Sequence, residues 1–135
     1  MANALYDTGR AAFLNAGVNW TSDAIKACLV DTGTYTPNLV TDAFLSIIPG
    51  GAIISTSVSF TGKTSATGVA DAADITFTAV TGASVEALVI YKDTGVASTS
   101  QLIAYIDTAT GLPVTPSGGD ITVVWDNGAN KIFKL

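Results

Sequence analysis

From residue 52 onward, apolar and polar residues alternate with a period of two. This pattern is typical of β-strands that have one packed face and one solvated face. In the first such stretch the serines are predicted to face solvent, and the packed face is predicted to carry Ile54, Thr56, Val58 and Phe60. The alternation recurs twice more, at 75–79 and at 121–125.

Three further runs are more apolar and show no clear solvated face. Residues 85–92 and 101–107 are apolar at nearly every position, which predicts central strands covered on both sides. Residues 24–31 predict another strand, with Ile25, Ala27 and Leu29 on one face. An Asp-Asn-Gly turn at 126–128 is predicted to lead into a last strand at 131–135.

The N-terminal residues 1–16 show a helical pattern instead. Asn3 is positioned to cap a short helix, and Asp7 lies near its positive end. The apolar stripe of this predicted helix consists of Leu5, Tyr6, Phe13 and Leu14.

Residues 32–50 form the longest irregular stretch of the chain. Within it, Thr41 and Asp42 are placed to cap one helical turn carrying Phe44, Leu45 and Ile48. One interpretation is a loop folded over an open end of the core. The other is a docking surface, since exposed apolar patches mark interaction sites. On the second interpretation the predicted contact residues are Tyr35, Phe44, Ile47 and Ile48.

These patterns together predict a mainly β fold. Seven or eight short strands separated by turn signals favour a single antiparallel β-sandwich or jelly-roll-like domain spanning residues 1–135. The fold would carry a short N-terminal helix and one further helical turn. Helical periods between the strands are missing, which disfavours a parallel sheet.

Composition adds a second constraint. Only 13% of the residues are charged, against about 25% in average domains, so the surface is neutral enough to rest against another protein. The net charge is −5 and the six basic residues are scattered. Direct nucleic-acid binding is therefore not expected, because it depends on clustered Lys and Arg. No apolar run approaches the roughly 20 residues of a membrane span.

Asp-Thr followed closely by Gly occurs three times, beginning at Asp31, Asp93 and Asp107. Two such tripeptides are typical of an aspartic protease, whose two carboxylates share a proton at about 3 Å. The two halves of this chain are dissimilar, however, and Lys92 stands where that motif needs an apolar residue. The alternative is that these motifs form turns at the ends of strands, in which Asp and Thr bond to the backbone and Gly takes a positive φ.

Other catalytic patterns are weaker still. The chain contains no histidine, which excludes Ser-His-Asp triads, Cys-His pairs and the usual zinc sites. Gly62-Lys63-Thr64 lacks the preceding glycine of a phosphate-binding loop. Asp71 and Asp74 with Glu86 could in principle supply a glycosidase pair, but residues 71–74 more simply end a loop and open a strand. Cys28 is predicted to be a buried core residue. We therefore expect no catalytic, metal or cofactor site.

Several segments carry a resemblance to a known family. They are residues 4–7 (ALYD), 68–77 (GVADAADITF), 86–93 (EALVIYKD), 107–113 (DTATGLP) and 125–128 (WDNG). Over essentially its whole length the chain resembles small structural proteins of tailed bacteriophages, in particular capsid cement, or decoration, proteins. The shared segments are strand and turn residues, so the resemblance transfers no individual site residue.

The resemblance implies a non-enzymatic function. Such a protein binds the outer face of the phage head and bridges neighbouring major capsid subunits, without touching the DNA. It implies synthesis in the bacterial cytoplasm, a final location on the capsid exterior, and the major capsid protein as partner, with self-association left open. Two alternatives also stay open: another virion role, in the tail or a fibre, and a carbohydrate-binding β-sandwich module.

Overall fold

The chain is mainly β, as the sequence predicts. The computed structural model describes residues 3–109 and 111–135. In chain order the strands and helix of these residues are β1 (Ala4–Leu5), α1 (Asp7–Leu14), β2 (Ile25–Val30), β3 (Ile53–Thr56), β4 (Val69–Ala70), β5 (Ile75–Phe77), β6 (Ala87–Lys92), β7 (Leu102–Ile106), β8 (Ile121–Val123) and β9 (Phe133–Lys134).

A five-stranded antiparallel sheet of order β1-β7-β6-β2-β3 is the main layer. Two smaller antiparallel pairs, β4 with β9 and β5 with β8, form separate two-stranded sheets. This arrangement is β-sandwich-like, in agreement with the prediction. The predicted turn between the last two strands does not produce a hairpin, since β8 and β9 each pair with a different strand.

Both faces of the main sheet are packed. On one face Ile25, Leu29, Leu88 and Ile90 join a core cluster that includes residues of the small sheets, such as Phe77. On the other face the core side chains of the sheet pack beneath residues of the 32–52 segment. That second cluster is Tyr6, Cys28, Val30, Tyr35, Ile48, Ala52, Ala87, Val89, Tyr91, Leu102 and Tyr105. The two-sided burial explains why β6 and β7 are apolar at successive positions.

The N-terminal helix is shorter than predicted. Leu5 belongs to β1, which pairs with β7, and α1 begins only at Asp7. Asn3 does not cap the helix. Its side-chain oxygen instead accepts hydrogen bonds from the backbone N–H groups of Asp107 and Thr108, at 2.9 Å each. Long-range pairing with β7 thus overrides the local helical pattern.

The predicted alternation fails along one stretch after β3. Val58 was predicted to face the core, yet it is 74% exposed, whereas Ser57 is buried. The Ser57 hydroxyl accepts a hydrogen bond from the Ala27 N–H at 2.9 Å and donates to the Val58 carbonyl at 2.8 Å. A register shift between β2 and β3 accompanies this inversion, and a one-residue slip exchanges the two faces.

The 32–50 segment covers the second face of the main sheet rather than an open end of the core. It contains the expected further helical turn, as a 3-10 turn at Leu45–Ile47. Asp42 does not cap that turn. The N-cap position is occupied by Phe44, and no side chain makes a capping hydrogen bond to the turn. Three more 3-10 turns lie at Gly50–Ala52, Ala66–Gly68 and Ala97–Thr99.

Gly9 sets how closely α1 approaches β7, and replacing it with alanine should destabilise the protein. A Cβ at this position would lie 2.7 Å from the Leu102 carbonyl oxygen and 3.0 Å from the Ile103 Cα. Both are backbone atoms that cannot rotate away, so we expect a loss of about 1–3 kcal/mol. The helix propensity of alanine would oppose this by up to about 1 kcal/mol. Urea unfolding measures the difference.

Gly51→Ala is the control for this prediction, because nothing lies within 4 Å of a Cβ there and its φ is not positive. It should leave the unfolding midpoint nearly unchanged. A Gly9→Ala protein as stable as the parent would show that the helix can shift away from β7.

Candidate functional site

The segment from residue 32 to residue 52 is the most distinctive surface element, because it crosses one face of the main sheet and carries apolar residues on both its sides. Backbone hydrogen bonds fix it to its neighbours. The Asp7 N–H donates to the Leu39 carbonyl at 2.8 Å, and the Leu102 N–H donates to the Ala43 carbonyl at 2.8 Å. These bonds hold the segment in place against α1 and β7. We call residues 32–52 the strap.

A buried polar network anchors the strap from below. The Tyr35 hydroxyl donates to the Asp42 carboxylate at 2.8 Å, and the Asn38 N–H donates to the same oxygen at 2.9 Å. The hydroxyls of Tyr6 and Tyr35 lie 2.9 Å apart. Because the Tyr35 proton is directed at Asp42, Tyr6 is the donor in that pair. The network joins the start of α1 to the strap.

Both tyrosines of this network keep their protons at neutral pH. Burial, followed by the neighbouring Tyr6 hydroxyl and Asp42 carboxylate, raises the pKa of Tyr35 well above its usual range. Burial is also the main cause that raises the pKa of Tyr6. Both phenols therefore act as hydrogen-bond donors in this network, Tyr6 to Tyr35 and Tyr35 to the Asp42 carboxylate.

The four predicted contact residues divide into two pairs. Tyr35 and Ile48 are buried in the second core cluster and hold the strap against the sheet. Phe44 is 40% exposed and Ile47 is 53% exposed. A partner could therefore reach Phe44 and Ile47 directly, while Tyr35 and Ile48 would act through the shape of the strap.

A further exposed residue, Val96, was missed by the sequence reasoning. It directly precedes the 3-10 turn Ala97–Thr99, which packs against the strap turn Leu45–Ile47. Phe44 forms a bridge with Gln101, and this bridge holds the two turns together. No local pattern joins these two turns, so only the fold reveals that they pack together. We call Phe44, Ile47 and Val96 the two-turn patch.

The Asp-Thr-Gly motifs are placed at strand ends. Asp31 follows the last residue of β2, and Asp93 follows the last residue of the antiparallel β6. Their backbones are therefore separated by the length of a six-residue strand, roughly 20 Å. Each carboxylate accepts a hydrogen bond from the glycine two residues later, Gly33 at 2.9 Å and Gly95 at 3.0 Å. The geometry is that of local turns, and it does not form a dyad within the chain.

Ion pairs further engage the carboxylates near the β6–β7 turn. Lys26 lies 2.8 Å from Asp93, and this contact with the lysine is the main cause that lowers the pKa of Asp93. Lys92 lies 3.1 Å from Asp23. Burial opposes ionisation of Asp23, but the Asn19 N–H and the Lys92 ammonium lower its pKa nevertheless. Both groups are anions held by cations.

The remaining candidate carboxylates have structural contacts too. Asp74 accepts a hydrogen bond from the Trp125 N–H at 2.9 Å, and Glu86 accepts two from Thr32. Asp71 pairs with Lys131 at 3.4 Å. The Lys63 ammonium donates to the carbonyl of Asp23, so the Gly-Lys-Thr stretch uses its lysine internally.

Cys28 is fully buried, as predicted, and burial raises the pKa of its thiol to about 12. It is therefore a protonated core residue at neutral pH. Among residues 3–109 and 111–135, no three Asp, Glu or Cys side chains are placed to hold a metal ion.

A cleft of about 820 Å3 opens beside β8. Its apolar lining comes largely from buried core residues, and its polar lining consists of amides, a hydroxyl, Asp126 and the paired Lys131. Its residues are Asn3, Leu88, Ile106, Thr108, Ala109, Val123, Val124, Trp125, Asp126, Asn127, Lys131 and Ile132.

The large aromatic side chains with polar tips lie inside the protein. All four tyrosines and both tryptophans are buried. Trp20 and Trp125 each donate their ring N–H to a backbone carbonyl, at 3.2 and 3.1 Å. None of these six rings is presented as a platform on which a sugar could stack.

The search for membrane spans, made over the described residues, found no helix both long and apolar enough to cross a bilayer. Comparison with known proteins adds no relative: no family model matches the sequence, and no curated protein matches it.

Proposed function

We propose that this chain is a non-enzymatic cement, or decoration, protein of a tailed bacteriophage. It binds the outer face of the head and bridges neighbouring major capsid subunits, after synthesis in the host cytoplasm. The proposal starts from the resemblance described above, and one structural observation supports it: the two-turn patch exposes apolar side chains on the strap and on the turn packed against it.

The chemistry of the patch suits docking on a protein. Residues 43–62 contain no charged residue, and neither do residues 94–106, which carry the second turn. An interface core depleted of charge avoids the desolvation cost of burying ions. Because the strap is already ordered by the Asp42 network, its binding costs little additional conformational entropy.

The free energy available from such a patch is modest for each copy. Covering the exposed parts of Phe44 and Ile47 contributes about 1 kcal/mol for each side chain. Many copies on a symmetric shell would add these terms, and a copy bridging two subunits would gain avidity. Binding to the assembled shell but not to loose subunits would then stabilise the shell by linkage.

The state of the acidic groups supports a non-enzymatic function. Asp31, Asp42, Asp74, Asp93 and Glu86 all accept hydrogen bonds from neighbouring groups. A general base would need an acceptor directed at a substrate. These carboxylates instead hold turns, strand ends and the strap.

The test uses capsids assembled without this protein. Adding the protein should raise their melting temperature, and the double variant Phe44→Ser/Ile47→Ser should bind about 10–30-fold more weakly, as expected from a loss of about 2 kcal/mol. Binding is measured by co-sedimentation of the protein with capsids, and the melting temperature by scanning calorimetry of the shells.

Val124→Ser is the matched control, because Val124 is 64% exposed and lies outside the two-turn patch. It should bind like the parent. No binding of the parent to capsids would contradict the proposal. So would density for the protein on the tail in a virion map, which would favour a tail or fibre role. Reproducible hits on a glycan array would favour the carbohydrate-binding alternative.

A further inference from the structure

Strand β3 is an edge of the main sheet and has β2 as its one neighbour there. The chain keeps following β2 after β3 ends, since the Ser57 N–H donates to the Ala27 carbonyl at 2.8 Å and the Phe60 N–H donates to the Ile25 carbonyl at 2.7 Å. The exposed edge therefore extends along most of β2. An edge of this kind presents unpaired backbone groups that can accept a further strand.

The N–H and C=O groups of Thr56 point outward at this edge. Ser57 directs its N–H toward β2. Successive residues of an extended strand direct these groups to opposite sides, so those of Thr56 face away from β2. Thr56 and Val58 are also exposed as side chains. One register shift lies at the Val30–Ile53 end, and beyond Ser57 the chain advances three residues, to Phe60, against two of β2, so the regular part of this edge lies around Thr56.

The two edges of the main sheet differ in their protection. The opposite edge, β1, is two residues long, and such short edges are poor templates for pairing. The β3 edge lacks the usual protective charges. It lies within residues 43–62, the longest stretch of the sequence without a charged residue, and residues 50–60 contain no proline.

We infer that the β3 edge pairs with the β3 edge of a second copy of this chain, antiparallel about a two-fold axis near Thr56. An edge strand is self-complementary in this arrangement, because each copy offers the same donors and acceptors to the other. The result is one sheet continuous across both copies. The inference does not depend on capsid binding.

Charge favours a second copy at this edge over other surfaces of the chain. Two copies each carry a net charge of −5 and repel each other wherever acidic residues face one another. The uncharged stretch 43–62 allows close approach without bringing like charges together. A two-fold contact at β3 thus places the neutral parts of both copies against each other.

The experiment measures association of the purified full chain by sedimentation equilibrium, from low micromolar to millimolar concentration. A monomer–dimer equilibrium is expected. Val58→Lys places a charged side chain on each copy two residues from the two-fold axis, and a lysine on an edge strand disfavours its pairing with another strand. We expect dimerisation to weaken by about tenfold or more. Val124→Lys, a substitution of the same kind at an exposed valine remote from β3, should dimerise like the parent.

Hydrogen exchange followed by NMR supplies a second readout. The Thr56 amide should exchange at least about tenfold more slowly in the dimer than in the monomer, while amides remote from β3 keep their rates. A chain that stays monomeric overturns the inference, and so does a dimer that Val58→Lys leaves intact. Because capsid binding is measured separately, monomeric protein that still binds capsids would overturn this inference alone.

Discussion

Replacing Phe77 with alanine should lower the free energy of unfolding by about 3–5 kcal/mol, among the largest effects expected of a single substitution in this chain. Phe77 is 1% exposed and belongs to the core cluster between the main sheet and the small sheets. Removing the ring deletes apolar contacts and leaves a cavity that the neighbouring strands can fill only in part. The melting temperature should fall by roughly 10–20 °C.

The control for Phe77 lies on the same stretch of chain. Thr78→Ala changes the next residue, which is exposed, and should shift stability by less than about 0.5 kcal/mol. Equilibrium urea unfolding of both variants gives the comparison. A loss below about 1 kcal/mol for Phe77→Ala would mean that the β5–β8 sheet contributes little to holding the sandwich together.

The sequence predicts the central strands well, because both faces of these strands are buried. Residues 85–92 and 101–107 are apolar on both faces, and both sides of β6 and β7 are covered. The face carrying Ile25, Ala27 and Leu29 is also confirmed. Burial on two faces leaves a strong local signature, because every position must be apolar.

Long-range pairing explains two of the wrong predictions. Leu5 fits a helical stripe as well as a strand, and only its pairing with Ala104 decides for β1. The inversion of Ser57 and Val58 follows from the irregular register beside Val30, which no local residue pattern signals. A period of two predicts alternation but does not say which face is turned inward after a slip.

The sequence predicted the location of the candidate site, but not which of its side chains are buried. The apolar content of residues 33–50 indicated a surface of interest, and Phe44 and Ile47 are exposed there. The burial of Tyr35 depends on Asp42, the one charged residue between Asp31 and Lys63. An isolated acid in an uncharged stretch was the available signal for a buried network, whereas the sequence reasoning took it for a helix cap.

Asp42→Ala tests that network and should cost about 2–4 kcal/mol of stability. The substitution leaves the Tyr35 hydroxyl and the Asn38 N–H without their acceptor beneath the strap, and buried unsatisfied donors are costly. Tyr6→Phe should cost only about 1 kcal/mol, because Tyr35 retains its bond to the carboxylate.

The graded outcome separates anchoring of the strap from a general effect of removing charge. Asp126→Ala removes an exposed carboxylate and should leave the urea midpoint nearly unchanged. Because the strap carries Phe44 and Ile47, loosening it should also weaken capsid binding by Asp42→Ala, measured at a temperature where the variant is folded. Tyr6→Phe should bind like the parent. If Asp42→Ala unfolds at the parent's urea concentration, the strap is held by its apolar contacts and backbone bonds alone, and the carboxylate does not anchor it.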